Sequence, residues 1–483
     1  MLLRNTLRYL PAQLLSPLAQ LVSMVLWTHW LTPQQMGVFT LVTVTQEVAY
    51  LVCLSWFSVY ALRYLPPQED RAATLRYLGC ENAALLAGTL AGSAVSLVTA
   101  WLLVDNSVAP GAGGQPHTLL AALSVAAYVC TRSASSHYAE RARAQSAFLA
   151  YTSLQVCGPL LGLLFGWLAL QHLPPDAWTL LLAYAAAQAV GLLLAWPLMG
   201  MHWRGVHADR QLLKAAATFG APMLGLGLLG WLGENYIRYL VQWREGAAAL
   251  GMMVVGWALG RRCASVASML VATAAFPLAA RLLNEGRREE ALQQLRLNAA
   301  LMLAVLVQVT VGVELLGATL VKLTVAAEYQ ALTTEMLAIS MFAAALRNLH
   351  MHVTDQLMVL DRQLGMCAKV DGVEIVLCAA ASLVGLVVHG LHGAVFGQAF
   401  GSAVALLLSV HWARSRLGFI WPTVETLKVM AATAVMALAL LLLQAPHTLE
   451  GLLLAVTVGA LVYALSVAAL FWTDVRRLVL QGA

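Results

Sequence analysis

A carboxylate and a guanidinium lie one helical turn apart in the apolar stretch GWLGENYIRYL, at Glu234 and Arg238. Side chains at positions i and i+4 meet on one face of a helix, so the two groups can form an ion pair. Such a pair lowers the cost of burying either charge in apolar surroundings. Two interpretations stay open: a structural ion pair that reaches a polar interface, or part of a polar cavity.

Two adjacent arginines, Arg261 and Arg262, interrupt the next apolar run in GWALGRRCAS. They lie near the middle of that run, where a charge that faces lipid costs about 2.5–3.5 kcal/mol. Because neighbouring helical positions point about 100° apart, at least one of the two is expected to face a water-filled cavity or the protein interior. The alternative is a shifted helix boundary that brings both arginines to the membrane interface.

A third polar stripe begins at Arg347 and continues at helical spacing through His350, Thr354 and Asp361. One interpretation is the wall of a cavity. The other is a buried ion pair between Arg347 and an acid, for which the candidates are Asp355, Glu314 and Glu374.

Two acids lie in or beside apolar segments near the start of the chain, at Glu47 and Glu81. Ionisable groups inside a membrane often bind and release a coupling ion, and they also serve as hydrogen-bonded contacts between helices. Both interpretations stay open, and these two residues are the candidates for ion coupling.

The elements that position these residues must be membrane helices. Hydrophobic residues make up 60% of the 483 residues, charged residues make up 11%, and the mean hydropathy is +0.76, whereas soluble domains are about 25% charged. Apolar runs of about 20 residues, enough to cross a bilayer as a helix, recur along the whole chain. We predict an all-α polytopic membrane protein with about 14 transmembrane helices, near residues 12–31, 38–62, 79–104, 118–138, 148–170, 177–200, 214–240, 249–275, 297–320, 332–358, 369–389, 393–413, 425–444 and 450–471.

The positions of Lys and Arg set the predicted orientation, because cytoplasmic loops collect them. With the N-terminus inside, most of the 28 Lys and Arg residues fall in inner segments, and outer loops such as TPQQ, QHLPPD and QAPHTLE contain none. Both termini are therefore predicted to be cytoplasmic. The net charge of +5 matches anionic lipid head groups and does not call for nucleic acid. The inner loop 276–296, FPLAARLLNEGRREEALQQLR, is predicted to be a short amphipathic helix along the membrane.

Several kinds of chemistry have no apparatus in this sequence. The seven cysteines stand singly with no C-x-x-C pair, so neither a disulfide framework nor a metal site is expected. Walker A, H-E-x-x-H and G-x-S-x-G motifs are absent. GLGLLG at 225–230 matches a dinucleotide-binding spacing, but it lies inside an apolar helix with no preceding strand. The chain is therefore not expected to be an enzyme, and no cofactor is expected.

Four stretches resemble the polysaccharide flippases of the multidrug/oligosaccharidyl-lipid/polysaccharide (MOP) exporter superfamily, the Wzx-type O-antigen and exopolysaccharide translocases. LTPQQMGVFTLVTVTQEVAYLVCLSWFSVYALRY is similar to the family's opening pattern, a short P-x-x-(F/Y)-G turn and a span that ends in Arg. KAAATFGAPMLGLGLLGWLGENYIRYLVQWREGAAALGMMVVGWALG resembles its G-x-P and D-R-Y-x-L signature. AAFPLAARLLNEGRREEA and AAEYQAL resemble the segments that follow span 8 and precede span 10.

The sequence departs from the family signature at its acidic position. When Arg238, Tyr239 and Gly251 are aligned with the signature, the acid falls on Ile237. Glu234, one turn earlier, is the expected replacement for that carboxylate.

The resemblance implies two MATE-like six-helix lobes at 1–205 and 206–420, followed by two further helices and a cytoplasmic tail at 421–483. It implies a flippase that moves an undecaprenyl-pyrophosphate-linked oligosaccharide across the bacterial inner membrane by alternating access, for cell-surface or exopolysaccharide synthesis. The implied partners are that lipid-linked saccharide, membrane lipids and polysaccharide polymerase or export machinery, and the energy would come from a proton or sodium gradient. The residues expected to line the cavity are Arg261, Arg262, Arg347, Arg238, Glu234 and His350.

Three other functions compete with this one. A MATE-type small-molecule or cation antiporter would favour an acidic or apolar cavity, whereas the central charges here are mostly basic. A membrane glycosyltransferase, polymerase or ligase generally needs a sizeable outer loop with catalytic groups, and the outer loops here are short. A non-catalytic membrane subunit of a polysaccharide export complex stays open.

Overall fold

The computed structural model describes residues 2–66, 70–103, 116–199, 205–445 and 447–472, and within these ranges every regular element is a helix. The outer loop predicted near 105–117 lies largely outside the described residues, as does the end of the tail. The helices are α1 (Leu2–Trp27), α2 (Pro33–Cys53), α3 (Ser55–Tyr64), α4 (Arg71–Leu103), α5 (Pro116–Ala144), α6 (Phe148–His172), α7 (Ala177–Leu198), α8 (Arg210–Asn284), α9 (Arg288–Thr324), α10 (Ala327–Leu349), a π-helical turn (His350–Thr354), α11 (Asp355–Leu360), α12 (Leu364–Leu417), α13 (Thr423–Leu443) and α14 (Leu449–Leu470).

The helices confirm the predicted all-α polytopic membrane class. Ten helices in the described ranges are long and apolar enough to cross a membrane. Two of them contain a break and count as two segments each: α8 at Gly246, with a φ of 83°, and α12 at Gly390, with a φ of 60°. The apolar part of α1 and the α10–α11 segment occupy the places of the remaining predicted spans.

Two helices begin after a polar residue whose side chain caps the first turn. Asp176 precedes α7 and accepts a hydrogen bond from the Thr179 N–H at 2.7 Å, and Thr448 accepts one from the Gly451 N–H at 3.1 Å. A side chain at this position satisfies a backbone donor that has no partner within the helix. The predicted second span is in fact two helices, since the backbone leaves helical geometry at Leu54 between α2 and α3.

The described chain divides into two compact units, Met1–Met252 and Met253–Ala483. In the first unit α6 packs along α7, and α2 packs against α4. Gly37 and Gly251 allow α2 and the second segment of α8 to approach closely, because a Cβ atom on Gly251 would lie within 2.8 Å of the Gly37 nitrogen. Both glycines belong to stretches that carry the family resemblance. The lobe boundaries given above stay predictions.

In the second unit α10 packs against α9 and α12, and α13 packs with α14 and α9. The two halves of α12 fold back on each other after the break at Gly390. Gly393, Gly397 and Gly401 lie on this contact, where an added Cβ on Gly401 would stand 2.6 Å from the Cys378 nitrogen.

The prediction of a separate amphipathic helix at 276–296 is wrong. Residues up to Asn284 continue α8, and α9 begins at Arg288. A tight turn joins the two helices at Gly286, whose φ is 78°. The apolar leucines on both sides of this turn extend the periodicity of two long helices, which a sequence pattern cannot distinguish from one short helix.

Candidate functional site

In the first unit Glu234 and Arg238 belong to a larger group of charges. Glu47 on α2 interacts electrostatically with Arg132 on α5 and with Glu234 and Arg238 on α8. Glu47 and Glu234 are exposed, and Arg132 and Arg238 are half-buried. The Arg238 guanidinium donates a hydrogen bond to the Asn235 Oδ1 at 2.6 Å. Three helices thus bring two carboxylates and two guanidinium groups to an accessible surface.

Ile237, at the family's acidic position, is fully buried. Its neighbour Tyr239 is fixed by a hydrogen bond of 2.8 Å between its hydroxyl and that of Thr45 on α2. An acid at position 237 would therefore lie in the packed interior, whereas Glu234 lies on the exposed face beside Arg238. That Glu234 replaces the family acid stays a prediction.

Glu81 on α4 lies at the centre of a second, fully buried group. One carboxylate oxygen is 2.9 Å from the Nε2 of His137, and the other accepts a hydrogen bond from Arg141. The Oγ of Ser58 lies 2.9 Å from the Nδ1 of His137. Glu81 is 1% exposed. This environment matches the hydrogen-bonded helix contact considered from the sequence, and ion coupling through Glu81 stays a prediction.

In the second unit Arg261 and Arg262 are half-buried on α8. The guanidinium of Arg261 lies 4.7 Å from the ring centroid of Trp257, one turn earlier, as in a cation–π contact. The indole N–H of Trp257 donates to the Gln398 Oε1 on α12 at 3.0 Å. Trp257 is 1% exposed, so α12 fixes the surface on which Arg261 rests.

Arg347 and His350 meet the same acid on α12, Glu374. The Arg347 guanidinium is 3.1 Å from the Glu374 Oε1, and the His350 Nδ1 is 3.0 Å from its Oε2. The hydroxyl of Ser402 donates to Glu374 at 2.7 Å. The buried ion pair considered from the sequence is therefore present, with Glu374 as the acid. His350 is itself buried, at 1% exposure, and its role in a cavity stays a prediction.

The second ring nitrogen of His350 faces another carboxylate, since Nε2 lies 3.0 Å from the Asp355 Oδ1. Asp371 on α12 brings a third group, and the ligand atoms of these three side chains all lie within 4.8 Å of one another. One imidazole nitrogen and two carboxylate oxygens can hold a cation. From the sequence Asp355 was expected only as a possible ion-pair partner and Asp371 was not expected, because Asp355 falls outside the i, i+3, i+7 and i+14 spacing that begins at Arg347 and Asp371 lies on a different helix.

A basic cavity of about 510 Å³ lies where the two ends of α12 meet the turn after α11. Arg362, Lys369 and Arg416 line it together with Trp412. All three cationic side chains are exposed. Clusters of this kind at the ends of membrane helices suit anionic lipid head groups.

A family model described as "Polysaccharide biosynthesis protein" matches residues 2–283 of the chain. No curated protein matches the sequence.

Solved structures resemble the fold over most of the chain. A structure titled "Lipid II flippase MurJ, inward closed conformation" aligns with 97% of this chain and 99% of its own at 11% identity and a TM-score of 0.69. An inward-facing multidrug resistance MATE family transporter of the MOP superfamily aligns with 86% of this chain and 98% of its own, at 14% identity and a TM-score of 0.65. The MATE multidrug transporter DinF-BH aligns with 85% of this chain and 94% of its own, at 13% identity and a TM-score of 0.54. At these identities the likeness establishes the fold alone.

Proposed function

The chain belongs to the polysaccharide biosynthesis protein family of the MOP exporters, and from that premise we propose that it flips an undecaprenyl-pyrophosphate-linked oligosaccharide across a bacterial inner membrane. Transport would proceed by alternating access and would serve cell-surface or exopolysaccharide synthesis. The observation that carries the proposal is the family match over residues 2–283. The shared fold of a lipid II flippase over 97% of the chain supports it.

The charges on α8 suit an anionic cargo. We assign contact with the pyrophosphate or with acidic sugars to Arg261 and Arg262, because a guanidinium forms strong charge-assisted hydrogen bonds with phosphate oxygens. Arg238 and Glu234 belong to the same proposed transport path in the first unit, near Glu47. Arg347 and His350 are engaged by Glu374, so we assign them a positioning role.

The membrane itself supplies further proposed partners. The basic cavity of Arg362, Lys369 and Arg416 suits anionic phospholipid head groups. A polysaccharide polymerase or export machinery would receive the flipped saccharide. The inner membrane and cytoplasmic termini are part of this proposal, and the multi-pass character follows from the helices already described.

A small-molecule antiporter is the second candidate, because MATE transporters share the fold at a TM-score of 0.65. In both candidates an ion gradient drives the cycle, and a proton or sodium ion is the proposed coupling ion. The two candidates differ in the cargo that accumulates when the protein is lost.

The experiment measures the sidedness of lipid-linked oligosaccharide in cells that lack the protein. Deletion is expected to raise the share of this lipid on the cytoplasmic leaflet, and the double variant Arg261→Ala, Arg262→Ala at unchanged abundance is expected to reproduce the effect. Loss of charge-assisted contacts worth about 1.5–3 kcal/mol would slow transport roughly tenfold or more. Arg281→Ala is the matched control, since Arg281 lies on the same helix but its side chain is 77% exposed and paired with Glu285.

Unchanged lipid sidedness in the deletion strain would refute the flippase and favour the antiporter or a scaffolding subunit. Accumulation in the deletion strain but not in the double variant would keep the flippase and remove the two arginines from its site.

A further inference from the structure

Two buried polar atoms in the second unit face each other without forming a hydrogen bond. The Nε2 of His350 lies 3.0 Å from the Oδ1 of Asp355, yet neither atom has a hydrogen-bond partner among the described residues. The distance suits a hydrogen bond, so the direction of approach is what prevents one. His350 is 1% exposed and Asp355 is 9% exposed. Buried polar atoms are normally satisfied, so this pair calls for a further group between them.

The opposite side of the His350 ring is fully engaged. Its Nδ1 lies 3.0 Å from the Glu374 Oε2, and Glu374 in turn contacts Arg347 at 3.1 Å and Ser402 at 2.7 Å. A carboxylate only accepts hydrogen bonds, so the ring proton belongs on Nδ1 and the neutral ring has its lone pair on Nε2. A histidine that binds a metal through one ring nitrogen almost always donates its other N–H to a carboxylate, a carbonyl or water. His350 has this arrangement.

Asp371 adds a third donor from a separate helix, α12. The ligand atoms of His350, Asp355 and Asp371 all lie within 4.8 Å of one another. Two ligands about 2.0–2.2 Å from one ion, at an angle of about 90–110°, stand about 2.8–3.6 Å apart. The separation of 3.0 Å between His350 and Asp355 falls within that range. In such a pair the ion, and not the second ligand, lies on the axis of the ring nitrogen, which accounts for a contact that is close but misdirected for a hydrogen bond.

The donor types and the local charge select a divalent transition metal. An imidazole nitrogen suits Zn²⁺, Cu²⁺, Fe²⁺ or Ni²⁺, whereas Mg²⁺ and Ca²⁺ prefer oxygen ligands. The group contains three acids and one arginine, namely Asp355, Asp371, Glu374 and Arg347. With a neutral imidazole, two negative charges are left over, which an ion of charge +2 balances. The Cys367 Sγ lies 3.8 Å from the Asp371 Oδ2, and a thiolate is a further ligand that zinc accepts.

The π-helical turn brings the first two ligands together. The Asp355 N–H donates to the His350 carbonyl, which is the i to i+5 pattern of a π-helix. On a regular α-helix two residues five positions apart point about 140° away from each other, so their side chains would not meet. The Thr354 hydroxyl lies 2.9 Å from both the His350 carbonyl and the Ser409 hydroxyl on α12. The cysteine spacing, from which no metal site was expected, carries no information about such a turn.

We propose that His350, Asp355 and Asp371 bind one divalent transition-metal ion, represented by zinc, and that the ion fastens the π turn and α11 to α12. The His350 Nε2 and one carboxylate oxygen of each aspartate are the ligands, and Glu374 positions the imidazole through its Nδ1–H. Asp371 and Cys367 are only half-buried, so an ion can reach the group from their side. Binding requires no cargo, and the inference therefore stands apart from the proposed function.

Zinc binding to the full-length protein in lipid nanodiscs, prepared without histidine tags, tests the site directly. The protein is stripped with a chelator and dialysed against zinc chloride in a large excess of sodium and magnesium chloride, and the bound zinc is measured by mass spectrometry. We expect one ion per chain. Asp355→Asn and Asp371→Asn are each expected to weaken binding at least tenfold. Glu374→Gln is expected to weaken it about 10–100-fold, as loss of an outer partner of a ligand typically does.

The exposed pair of His392 and Glu335 supplies the matched control. The His392 Nε2 lies 2.6 Å from the Glu335 Oε2, but among the described residues this pair belongs to no group of three metal-ligating side chains. His392→Gln is therefore expected to leave the stoichiometry and the affinity for zinc unchanged. A loss in His392→Gln as large as that in Asp355→Asn would assign zinc binding to histidine–acid pairs in general and overturn the site.

The wild-type protein decides the question even if a variant fails to fold. X-ray absorption of the zinc-loaded protein is expected to show one imidazole among oxygen ligands, with at most one sulfur. Two or more imidazoles, or no stoichiometric zinc, would overturn the site. Zinc that binds in dilute buffer but is lost in excess sodium would overturn the divalent ion in favour of a monovalent cation.

Hydrogen exchange measured by mass spectrometry tests whether the ion fastens the turn. Zinc is expected to slow amide exchange at 350–361 and in the first turns of α12, and to have no such effect in Asp371→Asn. Stoichiometric binding with unchanged exchange would refute the fastening role. A protein that binds zinc through these ligands but moves no saccharide would refute the proposed function and leave the metal site standing.

Discussion

Glu81 connects α4 to α5 through its side chain. Its carboxylate, 1% exposed, is shared by His137 and Arg141 on α5. Glu81→Gln would leave the Arg141 guanidinium, 7% exposed, without an opposite charge in the interior, which typically costs about 3–5 kcal/mol. We expect a loss of this size in the free energy of unfolding, measured by equilibrium denaturation in mixed micelles.

The neighbouring acid Glu140 supplies the control for this prediction. It pairs with Arg143 on the same helix at 2.9 Å, but the two side chains are 29% and 47% exposed. Water screens such a pair, so Glu140→Gln is expected to cost at most about 1 kcal/mol. Equal losses for both variants would show that Glu81 contributes no more than a surface charge.

At the residue scale the sequence shows which charged residues interrupt the apolar runs, but it shows only in part which groups those residues contact. Three acids were candidates for a buried ion pair with Arg347, and the structure pairs it with Glu374, whereas the cavity role of Arg347 stays a prediction. The partners of Glu81, by contrast, could not be read from its own helix, because His137 and Arg141 lie 56 and 60 positions further along the chain. Hydrophobic periodicity shows which face of a helix is buried, but the matching of two faces depends on packing between helices.

At the element scale, glycines decide how closely α12 folds on itself. An added Cβ at Gly397 would lie well inside contact distance of the Ala381 and Ser382 backbone, which cannot move aside, whereas Gly372 on the same helix faces open space. Gly397→Ala is therefore expected to push the two halves of α12 apart and lower the unfolding free energy by about 1–3 kcal/mol. Gly372→Ala should be neutral or should stabilise the helix by up to about 1 kcal/mol.

Equilibrium unfolding of the two single variants checks this prediction. Because both substitutions add the same methyl group to the same helix, helix propensity cancels between them and only the contact differs. A Gly397→Ala variant as stable as Gly372→Ala would contradict the tight approach of the two halves.

Helix existence could be predicted from this sequence, and helix breaks could not. Runs of apolar residues require helices because a membrane offers no other partner for backbone N–H and C=O groups. The break at Leu54 and the π turn at His350–Thr354 leave composition unchanged. Each alters backbone hydrogen bonding within a run that stays apolar, so a hydropathy pattern does not reveal either of them. The π turn has the larger effect on the candidate site, since it places the Asp355 Oδ1 3.0 Å from the His350 Nε2.

At the scale of the whole molecule, the fold class and family could be predicted from composition and from four motif stretches, because membrane insertion acts on every residue of the chain. The family's acidic position shows the limit of that approach. Alignment alone suggests a lost carboxylate at Ile237, whereas the fold places Glu47, Glu234, Arg132 and Arg238 around the accessible surface nearby. That Glu234 replaces the carboxylate missing at Ile237 stays a prediction.

The orientation across the membrane is the remaining prediction for the whole molecule, and it follows from the asymmetry of Lys and Arg between the two sets of loops. The turn at Gly286, flanked by Arg281, Arg287 and Arg288, is expected to face the cytoplasm. The turn at Pro174 before α7, in a loop without Lys or Arg, is expected to face the opposite side.

Single cysteines at positions 286 and 174, in a background whose seven native cysteines are replaced by serine or alanine, would be treated with a membrane-impermeant maleimide on intact spheroplasts. We expect labelling at position 174 only, and labelling at both positions after permeabilisation. Labelling at 286 but not at 174 in intact spheroplasts would invert the topology, and the proposed direction of transport would then have to be reconsidered along with it.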